Sequence, residues 1–204
     1  MVQVPVLNQR WTFDEFIAEF DPGDDSLHLW ELEDGKPIKM PEPSWAHEFI
    51  ADFLCKRFEA ECEQMGPSYL VRRFVAVKVG QGKGRKPDVT VFSRTLVKNL
   101  RSQAQLPVAP KLAVEIASPG NWRTDYTEKR LYYAAIGIQE YWIADFIPCA
   151  TEFLEVPNVP AVLVHWLAGG NYQVKQYRGR DRIISPTFPN LNLTVDQLVA
   201  AAEV

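Results

Sequence analysis

The chain has 204 residues, 47% of them apolar and 12% aromatic, with 22 Lys and Arg against 26 Asp and Glu. Such a composition excludes global disorder, and a formal charge of -4 argues against an indiscriminate polyanion binder, so any nucleic-acid contact must be local. The three cysteines, Cys55, Cys62 and Cys149, show no metal-ligand or CxxC spacing and read as reduced core filling. Met1 to Arg10 lacks signal-peptide character, and no apolar run is long enough to span a bilayer, so a soluble, cytoplasmic protein with no membrane partner is expected. The length suits a single domain over 1–204.

Thr12 to Phe20 predicts a short amphipathic helix with Thr12 as N-cap. The breaker run Asp21 to Asp25 ends it. Leu27 to Leu32 and Pro37 to Met40, joined through Asp34-Gly35, predict an N-terminal β-hairpin. Trp45 to Met65 predicts the longest helix, with Phe49, Phe53, Leu54, Phe58 and Cys62 along its apolar stripe. On this helix His47 shares a face with Leu54 and Phe58, which fits either a hydrogen-bonded core histidine or a ligand. Glu48 fits a first-turn acid favoured by the helix dipole.

Val71 to Val79 reads as one extended segment. Gly80 to Lys86 reads as a flexible hairpin loop whose Lys83, Arg85 and Lys86 either track a phosphate backbone or keep the loop solvated. No GK[ST] follows the glycines, which rules out a P-loop. Two apolar β segments then each carry one acid: Pro87-Asp88-Val89-Thr90-Val91-Phe92 and Leu112-Ala113-Val114-Glu115-Ile116. A carboxylate in a strand covered on both faces costs several kcal/mol unless a cation or donors compensate. Two on neighbouring strands could share a hard divalent ion. The plainer alternatives are a turn-forming Asp88 and a solvent-facing Glu115.

Between these segments, Ser93 to Arg101 predicts a short helix with Arg94, Lys98 and Arg101 on one side, and Gln103 to Pro110 a proline-punctuated connection. Thr124 to Ile136 predicts a second important helix, with Asp125 and Glu128 at capping-box spacing. Its Lys129 lies on the side of Tyr126, Tyr133 and Ile136, where an ammonium either meets an acid or snorkels to water, and spacing alone favours snorkelling. Ile138 to Ala144 predicts a strand parallel to the Glu115 strand. Thr151 to Val156, Ala161 to Leu167 and Tyr172 to Tyr177 predict a C-terminal meander, followed by a helix over Thr194 to Ala202. Trp166 and its tyrosine neighbours fit core or a homodimer surface.

This order resembles the PD-(D/E)XK nuclease superfamily. More narrowly, Pro87-Asp88-Val89, Val114 to Pro119, Asp125 with Lys129, Tyr133 and Gly137, and Glu140 to Asp145 resemble the Uma-type restriction endonuclease family. The resemblance implies an α/β fold, a restriction-endonuclease-like core over about 45–145 with a central mixed sheet flanked by helices. It implies a magnesium- (or manganese-) dependent phosphodiesterase site in which Asp88, Glu115 and the Ile116 carbonyl hold the ion; with the paired carboxylates, Lys129 and the basic loop, the preferred expectation is a homodimeric DNA endonuclease. Ala117 stands where the superfamily places its lysine, and Lys129 is the matching replacement. His47, Glu48 and Asp125 are additional candidates. The competing readings are a catalytically degenerate module for nucleic-acid binding or assembly, and an enzyme acting on another phosphate substrate.

Overall fold

A computed structural model describes residues 9–20, 29–66, 68–98, 105–106 and 109–203. Helix α1 (Phe13–Phe20) opens with a reciprocal cap, in which Glu15 accepts from the Thr12 N–H and Thr12 Oγ1 accepts from the Glu15 N–H. The predicted breaker run lies outside the described residues. Strands β1 (Trp30–Glu33) and β2 (Lys36–Lys39) form the hairpin, with Asp34 and Gly35 both at positive φ as a tight primed turn requires. Helix α2 (Trp45–Gln64) is capped by Ser44, which accepts from the His47 N–H.

The Val71 to Val79 segment is two strands in two different sheets, β3 (Tyr69–Arg72) and β4 (Ala76–Gly80). The chain turns between them at Phe74, whose φ is +52°. Each half keeps the alternating pattern, so period 2 alone cannot reveal the change of sheet. The expected flexible loop is also structured: β5 (Lys83–Arg85) pairs with both β4 and β1.

Strand β6 (Val89–Ser93) leads into α3 (Arg94–Lys98), and the proline-punctuated connection contributes the two-residue β7 (Gln105–Leu106). Arg101 lies outside the described residues. After β8 (Leu112–Ile116), helix α4 (Trp122–Thr124) runs through a π-helical turn, Asp125–Lys129, into α5 (Arg130–Ala135). Asp125 is therefore inside the helix and caps nothing, contrary to the capping-box expectation.

Strand β9 (Glu140–Asp145) lies parallel to β8, as the strand-helix-strand order predicts. Of the expected meander only the hairpin β10 (Ala161–Ala168) and β11 (Asn171–Tyr177) forms. Thr151 to Val156 is a turn, because side chains satisfy its backbone: Gln176 bonds the Glu155 N–H and the Phe153 carbonyl. The last helix is α6 (Val195–Ala200), with a full Thr194/Gln197 capping box.

The small sheet has the order β2-β1-β5-β4-β7 and the large one β11-β10-β9-β8-β6-β3. Both are mixed, and helices flank them. Helix α2 covers one face of the large sheet, where Leu54 and Phe58 pack with Val89, Val114, Trp142 and Phe188. On the opposite face Tyr126 and Tyr133 pack with Ala113, Ala117, Tyr141 and the small sheet's Val77 and Val79. All three cysteines are free, with Cys62 buried. Among the described residues no helix is long and apolar enough to cross a membrane.

Phe58 is fully buried, stacked on Phe188 and edge-on to Trp142, so it clamps the C-terminal segment to the sheet through α2. Phe58→Ala should cost about 3–5 kcal/mol, read as a lowered urea midpoint with an unchanged slope; a loss under about 1 kcal/mol would contradict this packing.

Candidate active site

Alternation along β8 divides its side chains between two cores. Leu112, Val114 and Ile116 join the α2 side and Ala113 and Ala117 the other, so Glu115 falls on the face covered by the π-turn and α5. The carboxylate is 3% exposed and does not reach solvent as a half-covered strand would allow. Its Oε2 lies 2.8 Å from Lys129 Nζ, and its Oε1 accepts a 2.6 Å hydrogen bond from Tyr133 Oη. Lys129 also lies 2.9 Å from Asp125 Oδ1 and 3.8 Å from Glu31 Oε1. The expected snorkelling does not occur: buried beside carboxylates from β8 and from its own helix, the ammonium has more to gain inside than in water.

Asp88 immediately precedes β6. Its Oδ2 accepts the Ile116 N–H at 2.7 Å, across the strand pair, and lies 3.2 Å from His47 Nε2. Asp88 thus bonds a neighbouring strand instead of closing a local turn, and it fixes the backbone one residue beyond Glu115. Asp88, Glu115, Ile116, Asp125, Lys129 and His47 all line one cavity of about 440 Å³.

Other expected site residues lie elsewhere. Glu48 accepts from Arg73 through both oxygens at 2.7 Å, with Asp52 on the same guanidinium at 2.9 Å, and does not line the cavity. Lys83 pairs with Glu33 and Asp34 and stays half-buried, whereas Arg85 is buried against Glu33 and Glu31, so strand pairing occupies both charges with acids of the N-terminal hairpin. Of the three basic residues in that run, Lys86 lines the cavity.

Sequence reading missed Glu31. It is buried, accepts the Lys86 N–H at 3.0 Å and faces Lys129 from the N-terminal hairpin. In sequence Glu31 and Glu33 flank Leu32 like the wet side of a hairpin; the signal was the basic run Lys83 to Lys86, which needed acids somewhere. Glu140 and Asp145 are buried structural acids. Glu140 accepts from Trp142 Nε1 and the Thr187 N–H, and Asp145 from Tyr126 Oη and the Cys149 and Ala150 N–H groups.

The electrostatics follow from burial. Desolvation drives the Glu115 carboxyl well above its ordinary range; Lys129 pulls it back, while Asp125, Asp88 and Glu31 push the same way as burial. Asp125 is likewise raised by burial, to about 6, with Lys129 opposing. Burial alone would lower Lys129, but Asp125, Glu115 and Glu31 outweigh it, and the ammonium is held well above its usual range. For His47, too, burial is overcome, here by the hydrogen bond and charge of Asp88, so its proton is held more tightly.

Five carboxyl groups, of Glu31, Glu42, Asp88, Glu115 and Asp125, line the cavity together with Lys86, Lys129 and His47. Among the described residues no three His, Cys, Asp or Glu side chains form a ready-made metal cluster. Two carboxylates and a backbone carbonyl, all oxygen donors, nevertheless fit an ion that keeps several waters, as magnesium does.

Removing Lys129 leaves Glu115 and Asp125 buried without their ammonium. Lys129→Met should lose about 3–5 kcal/mol at pH 8. Because both acids have folded-state pKa values above their ordinary ones, the folded state holds protons that the unfolded chain releases, and stability falls as pH rises through that window. The deficit should therefore shrink at pH 5. Urea unfolding at the two pH values checks this, and an equal deficit at both would refute the burial of these carboxylates.

Residues 13–196 match the Uma2 family, described as "Putative restriction endonuclease". No curated protein matches the chain. Among solved structures, a crystal structure from Anabaena variabilis, described as that of "a putative nuclease", superposes with a TM-score of 0.71 at 19% identity, covering 97% of this chain and 99% of that one. At that identity the likeness is one of fold, and it agrees with the restriction-endonuclease-like architecture expected from the ordered motifs. The match along most of its length shows that the chain belongs to the Uma2 family.

Proposed function

We propose that this protein is a metal-dependent nuclease that hydrolyses phosphodiester bonds in DNA. The observation that carries the reading is the convergence of Asp88, Glu115 and Lys129 on one cavity, from a strand start, a strand interior and a helix. Family membership supports a nucleic-acid substrate.

In this reading Asp88, Glu115 and the Ile116 carbonyl hold magnesium or manganese. The bound ion would supply an acidified water and neutralise charge on the phosphate. Lys129, whose ammonium lies 2.8 Å from Glu115, would serve as a donor and a positive charge beside the phosphate. Tyr133 and Asp125 fix the carboxylate and the ammonium against each other. The attacking water forms a new bond to phosphorus and gives up a proton, the P–O ester bond to the leaving oxygen breaks, and that oxygen takes up a proton, so that one water is consumed and no atom is gained or lost otherwise.

Ala117 favours the second reading, a degenerate module that keeps the fold for binding. It is fully buried where the superfamily has lysine. The 2.8 Å contact of Lys129 with Glu115 weighs against that alternative, because it brings an amine to the same carboxylate by another route.

Asp88→Asn and Glu115→Gln should each reduce magnesium- or manganese-dependent cleavage of DNA to background while leaving the circular dichroism spectrum intact. Cleavage undiminished in either variant would exclude the proposed site. Millimolar manganese should also raise the wild-type melting temperature, since a ligand that binds only the folded state stabilises it, and this rise should vanish in Glu115→Gln. A wild-type protein with no manganese-dependent shift and no cleavage would leave the binding-module reading.

A further inference from the structure

Glu31 belongs to none of the motif segments, yet it is 6% exposed and lines the same recess as Asp88, Glu115 and Lys129. Alternation along β1 sends Leu32 into the core with Phe13 and Phe16, which turns Glu31 and Glu33 to the other face. The charges on that face alternate in sign. Lys83 pairs with Glu33, Glu33 with Arg85, Arg85 with Glu31, Glu31 with Lys129, and Lys129 with Glu115. The series runs from the small sheet through the π-turn to the interior of the large sheet, and Glu31 is its last member on the small sheet.

The Glu31 carboxylate is held at both oxygens. Oε1 accepts the Lys86 N–H at 3.0 Å, and Oε2 lies 3.6 Å from Arg85 Nε. Arg85 is buried and itself fixed, since its Nη1 donates to the Leu32 carbonyl at 2.8 Å. Through Lys86 the same carboxylate braces the backbone two residues ahead of Asp88. One side chain from the hairpin thus touches the segment that delivers Asp88 and faces the ammonium that meets Glu115.

Three acids lie within 4 Å of Lys129 Nζ, and they are not equivalent. Asp125 stands four residues earlier on the same π-turn, so it moves with the lysine and cannot fix it against the strands. Glu115 in the nuclease reading also serves the metal, and a carboxylate shared with a divalent ion has less charge to offer an ammonium. Glu31, at 3.8 Å, is beyond hydrogen-bond reach but close enough for strong attraction between buried charges. Among the described residues it completes no three-acid metal cluster with the other two. We propose that Glu31 is a positioning residue, a fixed counter-charge that keeps the Lys129 ammonium in its working place when Glu115 is engaged by the metal. The inference rests on the metal-dependent nuclease reading and adds to it a residue from outside the 45–145 core.

The test keeps the full chain and compares two variants. Glu31→Gln retains an oxygen for the Lys86 N–H and removes only the charge, whereas Glu31→Ala removes both. On plasmid DNA with manganese, kcat should fall on the order of ten-fold or more in each with KM unchanged, while Glu31→Gln keeps the wild-type circular dichroism spectrum. Wild-type turnover in Glu31→Gln overturns the proposal, whatever Glu31→Ala does, because the carboxylate then serves only as a backbone anchor. A raised KM with unchanged kcat, or a Glu31→Gln chain that does not fold, overturns it too. A second readout needs no cleavage: in metal-free protein, Glu31→Gln, Lys129→Met and the double variant form a cycle of urea unfolding. Without the ammonium Glu31 faces two other acids unrelieved, so the double variant should be less destabilised than the sum of the two single losses. Additive losses overturn the pairing, and Lys129→Gln replaces Lys129→Met should the latter not fold. If the wild type cuts nothing, the nuclease reading fails by itself, and the cycle still decides whether Glu31 holds the ammonium.

Discussion

The contact on which this molecule's centre depends is one ammonium, from Lys129, buried between the carboxylates of Glu115 and Asp125. Neither acid tolerates its position alone, and the lysine would otherwise lay its stem along the aromatics and reach for water. Each group justifies the burial of the others. The mutual dependence fixes the helix that carries Lys129 against the strand that carries Glu115, and Tyr133 and Tyr141 add hydrogen bonds along the same seam, to Glu115 and to the Asp125 carbonyl.

Backbone hydrogen bonding ties the second acid to the first. Asp88 holds the amide of Ile116 in the place where a strand partner's carbonyl would otherwise sit, so the spacing of the two acids is set by sheet geometry and not by loop conformation. His47 locks Asp88 from the α2 side, next to the interior strands β6 and β8 of the large sheet. A site built on strands and helix turns in this way is more precise than one built on loops.

Much of this was legible in the sequence. Glu115 stood out because Val114 and Ile116 leave a carboxylate nowhere to go, and the parallel pairing of its strand with β9 followed from the intervening helix. The inward course of Lys129 was not legible, because the same spacing describes a snorkelling lysine; the deciding partner arrives from a different strand. Glu31, Lys83 and Arg85 escaped for a related reason. Charges on a hairpin and a glycine-rich run look solvated until the two pair with each other, and no local pattern states that they do. The break at Phe74 was hidden because both halves of the segment alternate correctly. The charged groups gathered at this cavity are thus partly those whose local preference is overruled by a distant neighbour.

The hairpin carrying Glu31 makes the N-terminal region part of the centre. The 45–145 span that looks self-sufficient in sequence lacks an acid that faces Lys129 and anchors the backbone of Lys86 just ahead of Asp88. Trimming the chain to that span for expression would remove a wall of the recess together with an electrostatic counterweight. Grafts between relatives should therefore keep the first hairpin with the motif segment it buttresses and exchange the two as one unit.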